Sequence, residues 1–288
     1  MKTTVTEVAY AKVNLTMDVL EPRPDGYHDV KSVMQEVQLC DKVTLTRTDD
    51  DKLVLTSNVD TLPLDENNTI IKAVRAFEKE TGASVGGLSI HLEKNIPVEA
   101  GVGGGSSDAA AVLRGLDELY GRNKPLVEQT GMAAEVGSDV PFFLYGGTCI
   151  VEGKGDVVGR LAGLPDCWFV LCKPDFSLST AEMYKRVDDQ KLSDDRPDSL
   201  SVMLGLEWQE LEFIAKRVGN VFEQVLTEEE QKAVSGIKET LLSCGAMGAS
   251  MSGSGPLVYG IFEGEEEAKK AVDALKATYS QVFLTQSV

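Results

Sequence analysis

Between residues 97 and 110 the chain reads PVEAGVGGGSSDAA, which places four glycines within five positions, Gly101 to Gly105. The alternating run Leu88–Leu92 (LSIHL) precedes this stretch. Ser107–Tyr120 follows it, with Ala109, Val112, Leu113, Leu116, Leu119 and Tyr120 on one helical stripe. The spacing therefore predicts a strand, a glycine loop and a helix, with Ser106 or Ser107 as the helix cap and Gly121 as its end. A strand that opens through glycines onto a helix start is a cradle for an anion. The first N–H groups of the helix have no internal acceptor, and the helix dipole favours negative charge there.

Two well-known phosphate loops are excluded by the residues themselves. A Walker loop needs a lysine directly before the serine, and none precedes Ser106 or Ser107. A dinucleotide fingerprint needs G-x-G-x-x-G and an acidic strand end about 20 positions later. Gly101, Gly103 and Gly105 give G-x-G-x-G, followed by helix and loop.

The chain ahead of the glycines is strand-rich, with Val5–Tyr10, Val13–Leu20, Val37–Thr46 and Leu53–Thr56 predicting a mainly antiparallel opening sheet. Thr69–Lys79 has Ile70, Val74 and Phe77 at helical spacing. Glycines at 146, 147, 153 and 155 mark a composition break. They divide the chain into an expected domain 1–155 and a second, 156–288. The second opens with Cys167–Cys172 (CWFVLC) and crosses a polar loop, Asp188–Ser199. It then carries helices around Val202–Arg217 and Glu228–Leu242 and closes as strand, glycine turn, strand and helix through Glu265–Ala277. This predicts an α+β layer with helices on one sheet face.

With 46 acidic against 28 basic side chains and a formal charge of −18, the chain lacks the basic footprint of nucleic-acid or anionic-membrane binding. An anionic ligand must therefore be held by local amides and a few cations. Five cysteines without a C-x-x-C pair fit neither a disulfide framework nor a zinc site, and read as reduced core residues. The first residues lack the apolar segment of a signal peptide, and no run approaches ~18 apolar residues. The expected location is the cytoplasm.

Three stretches together resemble the GHMP kinases. PVEAGVGGGSSDAA is similar to that family's P-x-x-x-G-L-x-[SG]-S-S phosphate loop. Ala11–Leu15 (AKVNL) stands in the place of its N-terminal motif, and Met251–Pro256 (MSGSGP) in that of its C-terminal glycine motif. The resemblance implies a two-domain α/β (α+β) fold with an N-terminal mixed sheet and helices, a C-terminal ferredoxin-like α+β layer, and an interdomain active site. Arg23–His28 (RPDGYH) and Gly137–Phe142 (GSDVPF) narrow it to the branch that phosphorylates the 2-hydroxyl of a cytidine diphosphate ester of methylerythritol, in isoprenoid precursor synthesis. Alternatives that stay open are a family kinase for another small alcohol, such as homoserine or mevalonate, and a non-catalytic sensor of the same fold.

Taken alone, Lys12 is an ordinary strand lysine, Asp139 a helix-start acid capped by Ser138, and Tyr184 a core aromatic. The resemblance implies more. Lys12 and Asp139 become the catalytic pair, Asp139 accepting the hydroxyl proton and Lys12 orienting the hydroxyl and stabilising charge. Pro97, Val98, Glu99, Ala100, Gly101, Val102, Gly103, Gly104, Gly105, Ser106 and Ser107 become the ATP phosphate loop, with Asn68 and Asp108 near the adenosine. Asn14 stands near the reacting end of the acceptor, Tyr27, His28, Thr180 and Tyr184 around the cytidine, and Gly253, Ser254 and Gly255 near the substrate diphosphate or the transferring phosphate. The implied cofactors are ATP and Mg²⁺, the latter without legible protein ligands. The implied partners are small molecules only, to a monomer or homodimer. Glu99, Ala100, Val102 and Asp108 depart from residues found in other members. His91 reads as structural.

Overall fold

Strand β1, Thr4–Pro22, alternates as a half-buried strand should: Val5, Ala9, Ala11, Val13, Leu15, Met17 and Val19 point into the core. From Ala11 onward its opposite face is buried as well, although that face is polar: Lys12, Asn14, Thr16 and Asp18. Buried polar groups must find partners, so this half of β1 is where a polar site is expected.

The structure, a computed structural model, describes residues 2–288. The chain forms two compact units that interleave along the sequence. The first comprises the chain up to Ala11 with Cys40–Val98 and Gly103–Gly146; the second comprises Lys12–Leu39, Glu99–Val102 and Gly147–Val288. Strands β1 and β2 (His28–Arg47) each contribute residues to both.

In the first unit, β4 (Leu88–Glu93) pairs antiparallel with the end of β2, Leu45 opposite Ile90, and parallel with β3 (Leu53–Ser57). Helices α1 (Thr69–Thr81), α2 (Gly104–Tyr120), α3 (Leu126–Val136) and α4 (Val140–Tyr145) pack as one group. Asn68 caps α1 by accepting the N–H of Ile70, and Gly82 ends it in the left-handed conformation. Arg114 of α2 fastens this group to β1 and α4: its guanidinium donates to Glu7 Oε2 at 3.0 Å and to the carbonyls of Val8 and Phe143 at 2.8 Å each.

In the second unit, β5 (Thr148–Glu152) pairs antiparallel with the start of β2 and with β6 (Val157–Arg160), while β8 (Gly219–Asn220) runs parallel to β1. A four-stranded antiparallel sheet follows in the order β11 (Gln281–Gln286), β7 (Trp168–Lys173), β10 (Val258–Phe262), β9 (Gly248–Met251). Helices α5 (Thr180–Asp189), α6 (Ser199–Trp208), α7 (Leu211–Ala215), α8 (Glu228–Ser243) and α9 (Glu265–Lys276) complete the unit. Phe222, Phe262, Leu241 and Ala271 lie in its core.

The opening sheet is mixed and mainly antiparallel, as expected, with β3–β4 and β1–β8 its parallel pairs. Other sequence expectations are corrected. Helix α2 starts at Gly104, and its cap position is Gly103, with no side-chain cap from Ser106 or Ser107; glycines without side chains let the turn begin earlier than the apolar stripe shows. Asp139, expected in the first turn of α4 behind a Ser138 cap, is itself the cap position. The region Val202–Arg217 is two helices, broken where Gln209 takes a φ of 57°. Among the described residues no helix is long and apolar enough to cross a membrane.

None of the five cysteines is in a disulfide, and burial pushes the thiols of Cys149, Cys167 and Cys172 up to about 12. These groups stay protonated at pH 8 and are poor nucleophiles. In the native protein at pH 8, iodoacetamide followed by mass spectrometry should label Cys40 and Cys244, the two partly exposed cysteines, at least ~10-fold faster than the other three. Equal labelling of all five would contradict the burial described.

Candidate active site

In the second unit the polar face of β1 meets the glycine loop. Lys12 is 2% exposed, and its ammonium donates to Asn14 Oδ1 at 2.6 Å and to the Gly101 carbonyl at 2.9 Å. Its backbone N–H donates to the Val102 carbonyl at 3.0 Å. Asn14 is held in turn: its Nδ2 donates to Ser32 Oγ at 2.8 Å, and its carbonyl accepts from the Tyr259 hydroxyl at 2.7 Å. Burial pushes the Tyr259 phenol far up, so it remains a donor.

Ser252, fully buried, closes this arrangement. Its hydroxyl donates to the Gly101 carbonyl at 2.9 Å and lies 3.3 Å from the Asn14 backbone nitrogen, which donates to it. The Gly101 carbonyl thus has both lone pairs filled, one by Lys12 and one by Ser252. Gly101 has a φ of 80°, and a Cβ there would sit 2.2 Å from the Ser252 carbonyl oxygen, so no other residue fits. Asn220 holds the glycine turn from behind, its Nδ2 donating at 2.8 Å to the carbonyls of both Met251 and Gly253.

Of the residues singled out in the sequence, Lys12, Asn14, Gly101, Val102 and Gly253 therefore come together. Ser252, Asn220, Ser32 and Tyr259 were not singled out. Ser252 stood inside the quoted MSGSGP motif and could have been found there. The others carry no local signal, because only tertiary folding brings them to Asn14 and the turn.

In the first unit, Gly103 takes a φ of 72° and α2 begins behind it without a side-chain cap. Gly104, Gly105 and Ser106 hold the first helical positions, whose N–H groups have no acceptor inside a helix. Thr69 steadies this start by donating to the Gly105 carbonyl at 2.8 Å. Pro97 is buried while Val98 and Glu99 are exposed, Glu99 with a φ of 52°. Asn68 is committed locally, to the Ile70 N–H and the Pro63 carbonyl. Asp108 is turned inward and bonded to Lys94 at 2.7 Å; burial foremost pushes its carboxyl up to about 7. Asp139 is half-buried at the head of α4, where Pro141 costs no helical hydrogen bond.

The aromatic residues gather in the second unit. His28 stacks on Tyr184 with centroids 5.1 Å apart, and its Nε2 lies 2.8 Å from Asp188 Oδ1. Tyr184 also meets Phe222 edge-on. Tyr27 is 55% exposed, with the Lys154 ammonium 5.5 Å from its ring centre. Thr180 and Ser254 share a hydrogen bond of 2.9 Å, which joins α5 to the glycine turn. Among the described residues no group of three or more His, Cys, Asp or Glu side chains is arranged to hold a metal ion.

The chain is similar to known proteins over nearly its whole length. The model of the GHMP kinases N terminal domain matches residues 68–147, and that of the GHMP kinases C terminal domain residues 204–281. A 4-diphosphocytidyl-2-C-methyl-D-erythritol kinase of Caldicellulosiruptor saccharolyticus is 38% identical over 96% of this chain and 94% of its own length. The kinase of the same name from Exiguobacterium sibiricum is 41% identical over 98% of both. A crystal structure of a 4-(cytidine 5'-diphospho)-2C-methyl-D-erythritol kinase superposes with a TM-score of 0.81 at 29% identity, covering 98% of this chain and 99% of that one. The chain belongs to the GHMP kinases and, within them, to the family of 4-diphosphocytidyl-2-C-methyl-D-erythritol kinases.

Proposed function

We propose that this chain transfers the γ-phosphate of ATP to the 2-hydroxyl of 4-diphosphocytidyl-2-C-methyl-D-erythritol. The observation that carries the reading is the meeting of Lys12 and Ser252 on the single carbonyl of Gly101, with Asn14 bonded to both, inside a chain related over nearly its whole length to kinases of that name.

The residues present suit a nucleotide triphosphate. The uncapped start of α2 offers backbone N–H groups and the positive end of a helix dipole to the phosphates. Pro97–Ser107 is the segment assigned to them. Asn68 acts near the adenosine by shaping its loop, and Asp108 acts through Lys94. Mg²⁺, when bound, neutralises phosphate charge. It commonly keeps several waters and binds through nucleotide phosphates with few protein ligands, so the phosphate oxygens are its assigned ligands.

Asp139 is the assigned proton acceptor for the attacking hydroxyl, and Lys12 the cation that orients the hydroxyl and stabilises developing charge. Asn14 holds Lys12 and faces the acceptor. Tyr27 offers an open ring face to the cytosine, Tyr184 and His28 form a second aromatic wall, and Thr180 with Ser254, Gly253 and Gly255 lines the way to the diphosphate. We place the reaction in the cytoplasm, in a monomer or homodimer. The family domains are divided near residue 155, between the matched ranges 68–147 and 204–281.

Release of ADP, measured in parallel with the cytidyl substrate, homoserine and mevalonate, tests the reading. Turnover is expected with the first alone, and turnover with either of the others in its place would refute the substrate. Asp139→Asn should lower kcat about 10³-fold while ADP and substrate still bind; an unchanged kcat removes its assigned role. Tyr184→Leu should raise the KM for the cytidyl substrate about 10-fold, the scale of one lost stacking contact, and leave the KM for ATP alone. For Ser252→Ala, kcat should fall about 10-fold or more with both KM values within a factor of about 3, because the Lys12 ammonium loses its fixed acceptor geometry. Equal losses in kcat and in thermal stability would mark Ser252 as structural only.

A further inference from the structure

Beneath the start of α2 the first unit buries two carboxylates against one ammonium. Lys94 Nζ donates to Asp41 Oδ2 and, at 2.7 Å, to Asp108 Oδ2. Asp41 is fully engaged, because its Oδ1 also accepts the backbone N–H groups of Asn95 and Ile96. Asp108 is not: its Oδ1 is buried and has no hydrogen-bond partner among the described residues. With both carboxylates ionised the cluster carries one excess negative charge, although each of the three residues is less than a tenth exposed. An uncompensated buried charge is costly, and a proton on Asp108 Oδ1 removes it.

The charged groups that act on Asp108 are Lys94, at the end of β4, and Asp41, on β2. The helices packed on α2 bury apolar residues in the same unit: Ile70, Val74 and Phe77 of α1, Met132 of α3, and Phe142 of α4. Farther along α2 itself, Arg114 is paired with Glu7 of β1. Burial and the charge of Asp41 both raise the proton affinity of Asp108, while Lys94 opposes them, and the carboxyl stands at about 7.

The cluster is coupled mechanically to the helix start. Asp108 follows Gly104 by four residues, one turn, or about 6 Å along the axis. The Lys94 ammonium lies 2.9 Å from the position a Cβ on Gly104 would take. Negative charge brought to the first N–H groups of α2 is therefore felt by Asp108 through a buried, packed interior.

We propose that the Asp41–Lys94–Asp108 cluster is a proton site linked to nucleotide binding: phosphates seated at the start of α2 draw a proton onto Asp108 Oδ1, and that proton in turn strengthens phosphate binding. The inference rests on the seating of phosphates proposed above. Linkage makes the coupling reciprocal. The sign follows from the raised carboxyl: the folded chain binds more protons here than the unfolded chain between the ordinary carboxylate range and about 7, and stability from this site falls as pH rises through that window.

Calorimetric binding of ADP to the full chain at pH 7.5, in three buffers of different ionisation enthalpy, counts the protons. The wild-type protein should take up at least ~0.2 proton per ADP more than Asp108→Asn, and its ADP affinity should fall several-fold more steeply between pH 6.5 and 8.5. The titration of ADP itself is common to both proteins and cancels in the comparison. Identical uptake with identical pH slopes overturns this inference alone, whereas no ADP binding to the wild type overturns the nucleotide reading and this inference with it. Should Asp108→Asn not fold, infrared difference spectra of the wild type with and without ADP decide the matter. A new protonated-carboxyl band that shifts in D₂O is expected, and its absence refutes the proton site.

Discussion

The carbonyl of Gly101 is the point on which the second unit's polar interior depends. A buried ammonium is tolerated only where acceptors replace its lost water, and Lys12 finds them in that carbonyl and in Asn14. Ser252 takes the carbonyl's other lone pair, and the same hydroxyl receives the Asn14 backbone N–H. Strand β1, the glycine loop and the turn after β9 are therefore fixed by one acceptor. None of the three can shift without leaving a buried donor or acceptor unpaired, which costs more than the bond contributes when made.

That dependence explains which parts were legible in the sequence. The core face of β1, the stripe of α2 and the helix Glu228–Leu242 follow a period of two or 3.6 residues set by burial, so their positions could be read locally. The buried polar face of β1 could not. Lys12, Asn14 and Thr16 look like the solvent side of an ordinary strand, and only tertiary folding covers them. The short strands β5, β6 and β8 likewise exist because a partner strand is there to receive them, and β8 is only two residues long. In the site, the motif residues were found by resemblance, whereas Ser32, Asn220 and Tyr259 reach Asn14 and the glycine turn across long sequence separations that no local pattern records.

Net charge and local chemistry separate here. A chain with a formal charge of −18 repels anions at long range, yet salt screens that field over about 8–10 Å. Contact distances obey local geometry instead. At the uncapped head of α2 the donors are backbone N–H groups that need no cationic side chain. A strongly acidic surface is compatible with an anionic ligand when the recognition elements are dipoles fixed by the fold.

The glycine run itself shows why such loops are read too simply as ligand motifs. Gly101 is glycine because the Ser252 carbonyl occupies the space of a side chain, and Gly104 is glycine because the Lys94 ammonium does. Both requirements come from the protein's own packing, before any phosphate is considered. Yet both also strip the backbone of side chains where an anion would approach, so packing and recognition select the same residue. The Lys94 cluster adds a condition that glycines alone do not express: the helix start rests on an ammonium whose two carboxylates outnumber it. Under the linkage proposed above, the loop's affinity for charge is tied to the protonation of Asp108, a residue held in the interior by Lys94.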